Sequence, residues 1–241
     1  MLESTPTAAL ETRQERTESG RLDNFVDGAF AFAITLLVIS GASLPQNVAA
    51  LEHALRGVPA FAACFAQLVW FWHAHVRWRD SVRLTDRVSL LLSLLLVFFA
   101  LIFVFPLHLV FGSLFYGVSN GALSAKSSQI PVGFSLHDTA ALFVCYGLSF
   151  ACMAGTLCAL YVHGVRVISR GTRDESILLR VKAATWGFAT MVGVLSMLMA
   201  IFLPAQAGWI VGVPGFSYFL LSFTGPLAHH YRKHLEAASP S

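Results

Sequence analysis

The chain has 241 residues, of which 56% are hydrophobic and only 12% charged, against roughly 25% charged residues in an ordinary soluble domain. This is the composition of an integral membrane protein, with room for several spans and none for a sizeable soluble domain besides. The net charge of +3 is read through its placement along the loops, not as a sign of a nucleic-acid partner.

Residues 1–24, rich in Glu, Thr and Arg, have no apolar periodicity and read as a polar arm. The apolar run after them exceeds the roughly 7 to 15 residues of a signal-peptide core, so it is a retained first span. That span, FVDGAFAFAITLLVISGASL over residues 25–44, is stopped by Pro45. Twenty helical residues reach roughly 30 Å, the thickness of a hydrocarbon core.

A second span over residues 58–78 ends in a charged stretch, and a third over 88–111 runs almost unbroken in Leu, Phe and Val around Pro106. A membrane helix tolerates such a proline. The Gly- and Ser-rich segment 116–137 reads as an exposed loop. Spans four, five and six fall over 139–162, 183–203 and 207–223, the last two forming a hairpin at Pro204. Cys64, Cys145, Cys152 and Cys158 lie in apolar stretches without a C-x-x-C pair, and read as buried thiols rather than metal ligands or disulfides. The domain scheme is an arm over 1–24, a six-helix membrane domain over 25–225 and a polar tail over 226–241.

Basic residues set the orientation, because Lys and Arg near span ends favour the cytoplasm. The arm carries three, the loop after span two carries four, the loop after span four carries five and the tail two. The opposite loops hold only Arg56 and Lys126. Six spans with both termini cytoplasmic follow, in the cell inner membrane. These spans are apolar all round, so periodicity does not say which face meets lipid, partner or pore, and no inverted repeat argues for a two-half transporter.

Two stretches rise above composition. Asp27 lies inside the first apolar run, where an acid is costly unless paired or wet, and so marks a functional site. A first-turn Asp also caps the orphan N–H groups of a helix, and position alone leaves both readings open. The second stretch is Trp70-Phe71-Trp72-His73-Ala74-His75. In this topology it lies at the same depth as Asp27, so Asp27 and His73 or His75 can meet. A structural histidine fits better than a metal ligand, because H-x-H on a helix aims its side chains at different faces.

Arg21-x-x-x-Phe25-Val26-Asp27-Gly28, followed by the run ending Thr35-Leu36-Leu37-Val38 and by Trp70-x-x-His73, resembles the prokaryotic branch of the transmembrane protein 175 potassium channels. Their signature, Arg-x-x-x-Phe-Ser-Asp, opens the first helix. The resemblance is sharp over residues 21–45 and moderate over 70–77. It implies a six-helix subunit, a homotetramer in the lipid bilayer with the first helix lining a central pore, and potassium among the permeant monovalent cations, with no other cofactor. It implies that Arg21, Phe25, Asp27 and His73 knit helices together without touching ions. The constriction falls on Phe32, Leu36 and Ile39, and the hydroxyl tied to potassium preference on Thr35. Val26 replaces the signature Ser, Phe32 stands where Ile or Leu is usual, and the span-three Asn has no counterpart nearer than Ser93.

Helix geometry agrees with those roles. At about 100° per residue Phe32, Leu36 and Ile39 share a stripe within roughly 60° and about 10 Å long, with Thr35 roughly 60° off it and Asp27 roughly 140° from Phe32. The expectation is a potassium-permeable, weakly selective channel with an apolar constriction. No nucleophile with a base, paired carboxylates or phosphate loop suggests an enzyme. The rivals are a proton-coupled transporter using Asp27 and His73, and a scaffold in which Asp27 is only a cap.

Overall fold

The computed structural model describes residues 6–41, 45–82, 86–123, 136–167, 173–202 and 213–237, all helix and short connections. Helix α1 (Pro6–Gly41) runs for 36 residues, so the arm expected before residue 25 continues the first span as helix. Ala, Leu, Glu, Gln and Arg fill that arm, all strong helix formers, and Pro6 suits a first turn. Apolar periodicity is silent about a helix that is polar on every side.

Helix α2 (Val48–Leu55) starts at Asn47, whose side chain accepts from the Ala50 N–H at 2.7 Å. It had read as loop. Past Gly57 the chain bends by 48° into α3 (Val58–Val82). Asp86 caps α4 (Arg87–Ser119), which carries Pro106 inside it and ends at Asn120 and Gly121, φ 52° and 86°. The left-handed backbone there suits Gly and Asn. Helix α4 thus extends into the segment expected to be loop, and so does the start of α5 (Leu136–Val167). Helix α6 (Arg173–Phe202) follows, then the single turn α7 (Val213–Phe216), a 3-10 segment (Ser217–Phe223) and α8 (Thr224–Ala237).

Among the described residues four helices are each long and apolar enough to cross a membrane, over Gly20–Ile39, Arg87–Ser119, Asp138–Val167 and Asp174–Phe202, and the bent α2–α3 pair, counted as one broken span, brings the number to five. The chain is therefore a multi-pass membrane protein. Of the sixth expected span, the turn at Pro204 and residues 207–212 lie outside the described residues, and residues 213–223 form the short α7 and 3-10 pieces.

Helices α5 and α6 pack antiparallel with small residues at their contact. A Cβ on Gly147 would lie 2.9 Å from the Gly193 carbonyl oxygen, so only glycine lets these backbones approach. The core beside them is aromatic. Phe71 meets Phe150 and Phe103 edge-on, with centroids 5.4 and 6.0 Å apart, and Tyr146 meets Tyr218 at 5.2 Å. Cys64 is buried in this core, whereas Cys145 lies on the uncovered side of α5. In a bundle whose outer surface is also apolar, an apolar neighbourhood does not make a residue buried.

A candidate pore face and its anchors

Helix α1 buries Val26, Phe30, Ala33 and Leu37 against α3 and α4. The spacing of four, three and four residues makes these one face. The chain leaves the other face uncovered: Phe32 is 56% exposed, Ile39 67%, Thr35 exposed and Leu36 half-buried between the two. Thr35 satisfies its hydroxyl within the helix, donating to the Ala31 carbonyl at 3.0 Å.

Two polar links fix this orientation. The Trp72 indole N–H of α3 donates to Asp27 Oδ1 at 2.8 Å. Arg79 Nε donates to Asp23 Oδ1 at 2.6 Å, and Nη2 reaches Oδ2 at 3.4 Å. The Arg79 guanidinium also lies 5.7 Å from the Trp78 ring centroid, within cation–π range. The acids are four residues apart on α1 and their partners seven apart on α3, so each pair shares a helix face.

Helix α3 is tied onward by its other side. His75 Nε2 and Ser93 Oγ of α4 are 3.0 Å apart with both residues buried. The Trp78 indole donates to the Leu160 carbonyl at 2.9 Å, and the Tyr161 hydroxyl to the Ala74 carbonyl at 3.0 Å. Beyond the spans, Asp86 accepts from Ser89 and from His163 Nε2, at 2.5 and 2.8 Å. Burial pushes the Asp86 carboxyl up, but those hydrogen bonds and the charge of His163 outweigh it and hold the group below its usual value.

The residues assigned to a helix-knitting network are placed unequally. Asp27 joins α1 to α3, through Trp72. Arg21, Phe25 and His73 are all exposed in the subunit, and His73 has no hydrogen bond to Asp27 among the described residues. The histidine bonded between helices is His75, because two residues turn a helix by about 200° and carry His73 to the far side. Asp23, Arg79 and the His75–Ser93 bond were missed. The available signals were the i, i+4 spacing of Asp23 and Asp27 and a lone Ser93 within an apolar run. No group of three or more His, Cys, Asp or Glu side chains among the described residues is placed to hold a metal ion.

Residues 21–106 match the family described as the endosomal/lysosomal potassium channel TMEM175. A potassium channel of Marivirga tractuosa is 35% identical over 130 residues, 53% of this chain and 52% of that protein, so the match spans about half the length of this curated relative. The fold is similar to a crystal structure of a variant of the potassium channel MtTMEM175 bound to a nanobody–MBP fusion. The TM-score is 0.74 at 25% identity, covering 90% of this chain and 93% of the other.

Proposed function

We propose that this chain, which matches the TMEM175 family over residues 21–106 and is similar to the potassium channels above, is a prokaryotic member of that family and the subunit of a potassium-permeable, weakly selective cation channel. Four copies assemble around an axis lined by α1, each subunit contributing six spans, with both termini in the cytoplasm of a cell inner membrane. Phe32, Leu36 and Ile39 form the apolar constriction and Thr35 tunes the preference for potassium. One observation carries this reading: α1 is held on one side by α3 and α4 while Phe32, Thr35 and Ile39 remain uncovered by their own chain. A ring of such faces excludes water when the side chains meet, and an apolar neck of this kind gates by dewetting.

A proton relay through Asp27 and His73 is not favoured. Asp27 is bonded to an indole N–H, which donates but does not accept. The test joins stoichiometry to function. Purified full-length protein is expected to be tetrameric, and in planar bilayers to give unitary currents with a reversal potential showing modest preference for potassium over sodium. A monomer ends the reading, since one α1 encloses nothing, and saturable pH-coupled flux without unitary currents replaces it with a carrier.

A further inference from the structure

The basic end of the bundle holds two cations outside the α1 face. Arg77 is exposed on α3, and Lys182 stands half-buried on α6, near enough for the charge of Arg77 to act on it. Packing explains why they meet. Trp186, one turn from Lys182, lies against Trp70 and Phe71 of α3 with centroids 4.8 and 5.5 Å apart. The Tyr161 hydroxyl bonds the Ala74 carbonyl one turn before Arg77, and the charge of Arg77 also reaches that phenol. From this aromatic tie toward the basic end, α6 arrives at Lys182 and α3 at Arg77 at similar depth.

Two cations at similar depth on these two helices repel, and neither has a carboxylate within ion-pair distance among the described residues. Asp80, three residues beyond Arg77, makes no ion pair with either. Trp70, His73 and Arg77 follow the i, i+3, i+7 spacing of a single helix face, and all three are exposed. The result is an apolar wall, 39% exposed at Trp70, with Lys182 about one turn and Arg77 about two turns above it.

We propose that Arg77 and Lys182, with the exposed face of Trp70, bind an anionic phospholipid of the adjoining leaflet, the cations taking its phosphate and the indole its first acyl carbons. Phosphate suits the site because a guanidinium fork and an ammonium supplied by two helices match an anion with three acceptor oxygens. A basic pocket between membrane helices is the recognised setting for such headgroups. Repulsion between the two cations then becomes joint attraction for one anion, and the lipid bridges α3 to α6.

The test uses full-length protein in detergent, with melting followed by fluorescence-detected size exclusion. Phosphatidylglycerol is expected to raise Tm where phosphatidylcholine at equal concentration does not. The Arg77→Gln/Lys182→Gln double variant should lose most of that gain, Arg77→Lys should keep part of it, and Trp70→Ala should reduce it. An undiminished gain in the double variant overturns the site, and an equal gain from inorganic phosphate alone overturns the lipid. Should the double variant fail to fold, native mass spectrometry of the wild type decides. Phosphatidylglycerol retained above phosphatidylcholine and released by salt supports the site; equal retention overturns it.

Discussion

Arg79 reaches from α3 to Asp23 of α1 at 2.6 Å, with the arginine 6% exposed and the aspartate 40%. One turn further along α1, Trp72 holds Asp27. A single contact would leave α1 free to roll about its axis, whereas two contacts one turn apart fix its rotation. The direction of the Phe32 face is thereby set by two acids on the opposite half of the same helix.

Removing Asp23 takes the carboxylate from a nearly buried guanidinium. Asp23→Ala is expected to destabilise the subunit by ~1.5–3 kcal/mol, the range for a charge-assisted hydrogen bond. Asp27 is exposed and accepts one neutral indole N–H, so Asp27→Ala should cost ~0.5–1.5 kcal/mol. The order of the two effects, read by thermal melting in detergent, is the check. Equal losses would mean that Asp27 is covered by a neighbouring subunit.

At the α5–α6 contact, Gly147→Ala places a methyl 2.9 Å from the Gly193 oxygen and 3.0 Å from the Met197 nitrogen. Both are backbone atoms, so the helices must part. A loss of ~1–3 kcal/mol is expected from such overpacking. Gly155→Ala, on the same helix, meets nothing nearer than a Thr190 methyl at 3.5 Å. It should be neutral or stabilising, by up to ~1 kcal/mol of helix propensity. Melting temperatures of the two variants separate close packing from propensity.

Unbroken apolar runs made the main spans legible: α3 begins at Val58, where the second span was expected, and α4 at Arg87, one residue before the third. The side each helix turns inward was not legible, because a stripe appears only where one face is polar. That is why His73 and His75 were indistinguishable by sequence, although only His75 is buried. Asp23 sat in an arm read as polar and Arg79 in a charged loop, so for a pairing over 56 positions the i, i+4 spacing of Asp23 and Asp27 was the one local trace. Helix α2 was hidden by its length, as eight residues give too few turns for a period to emerge. For α1 the resemblance alone proposed a rotation, with Phe32, Leu36 and Ile39 as one stripe; among the described residues packing buries Leu37 and leaves Phe32 uncovered by its own chain.

The cap of α4 carries a pH dependence with a defined sign. The Asp86 carboxyl titrates below its ordinary 3.8 in the folded protein. Its charge therefore contributes fully above the unfolded value, and the contribution fades as pH falls through the depressed folded value. Asp86→Ala should cost about 1 kcal/mol near neutrality through the lost N-cap. Asp86→Asn keeps a capping oxygen and loses only the charge. Its Tm deficit against the wild type should be present above about pH 4 and shrink below that, as followed by melting across pH.

The uncovered face of α1 gives the sharpest test, because in the proposed tetramer fourfold repetition would multiply any change in side-chain size. If four Leu36 side chains meet at the axis, the neck stays dry, and an ion stripped of water to pass it meets a high barrier without any opposing charge. Leu36→Ala is expected to raise basal current, Leu36→Asn to raise it further by wetting the neck, and Phe32→Ala to act in the same direction. Thr35→Ala should alter the potassium-to-sodium ratio more than the current. Leu37 is the control, 1% exposed and packed inside its own subunit. Leu37→Asn buries an amide without a partner at ~1–3 kcal/mol, so it should lower Tm and assembly and leave unitary conductance unchanged in the protein that assembles. Bilayer recordings paired with melting curves distinguish the two leucines. If Leu37→Asn opened the pore while Leu36→Asn did not, the rotation of α1 in the assembled channel would differ from that of the isolated subunit, and the constriction would have to be reassigned to the opposite face.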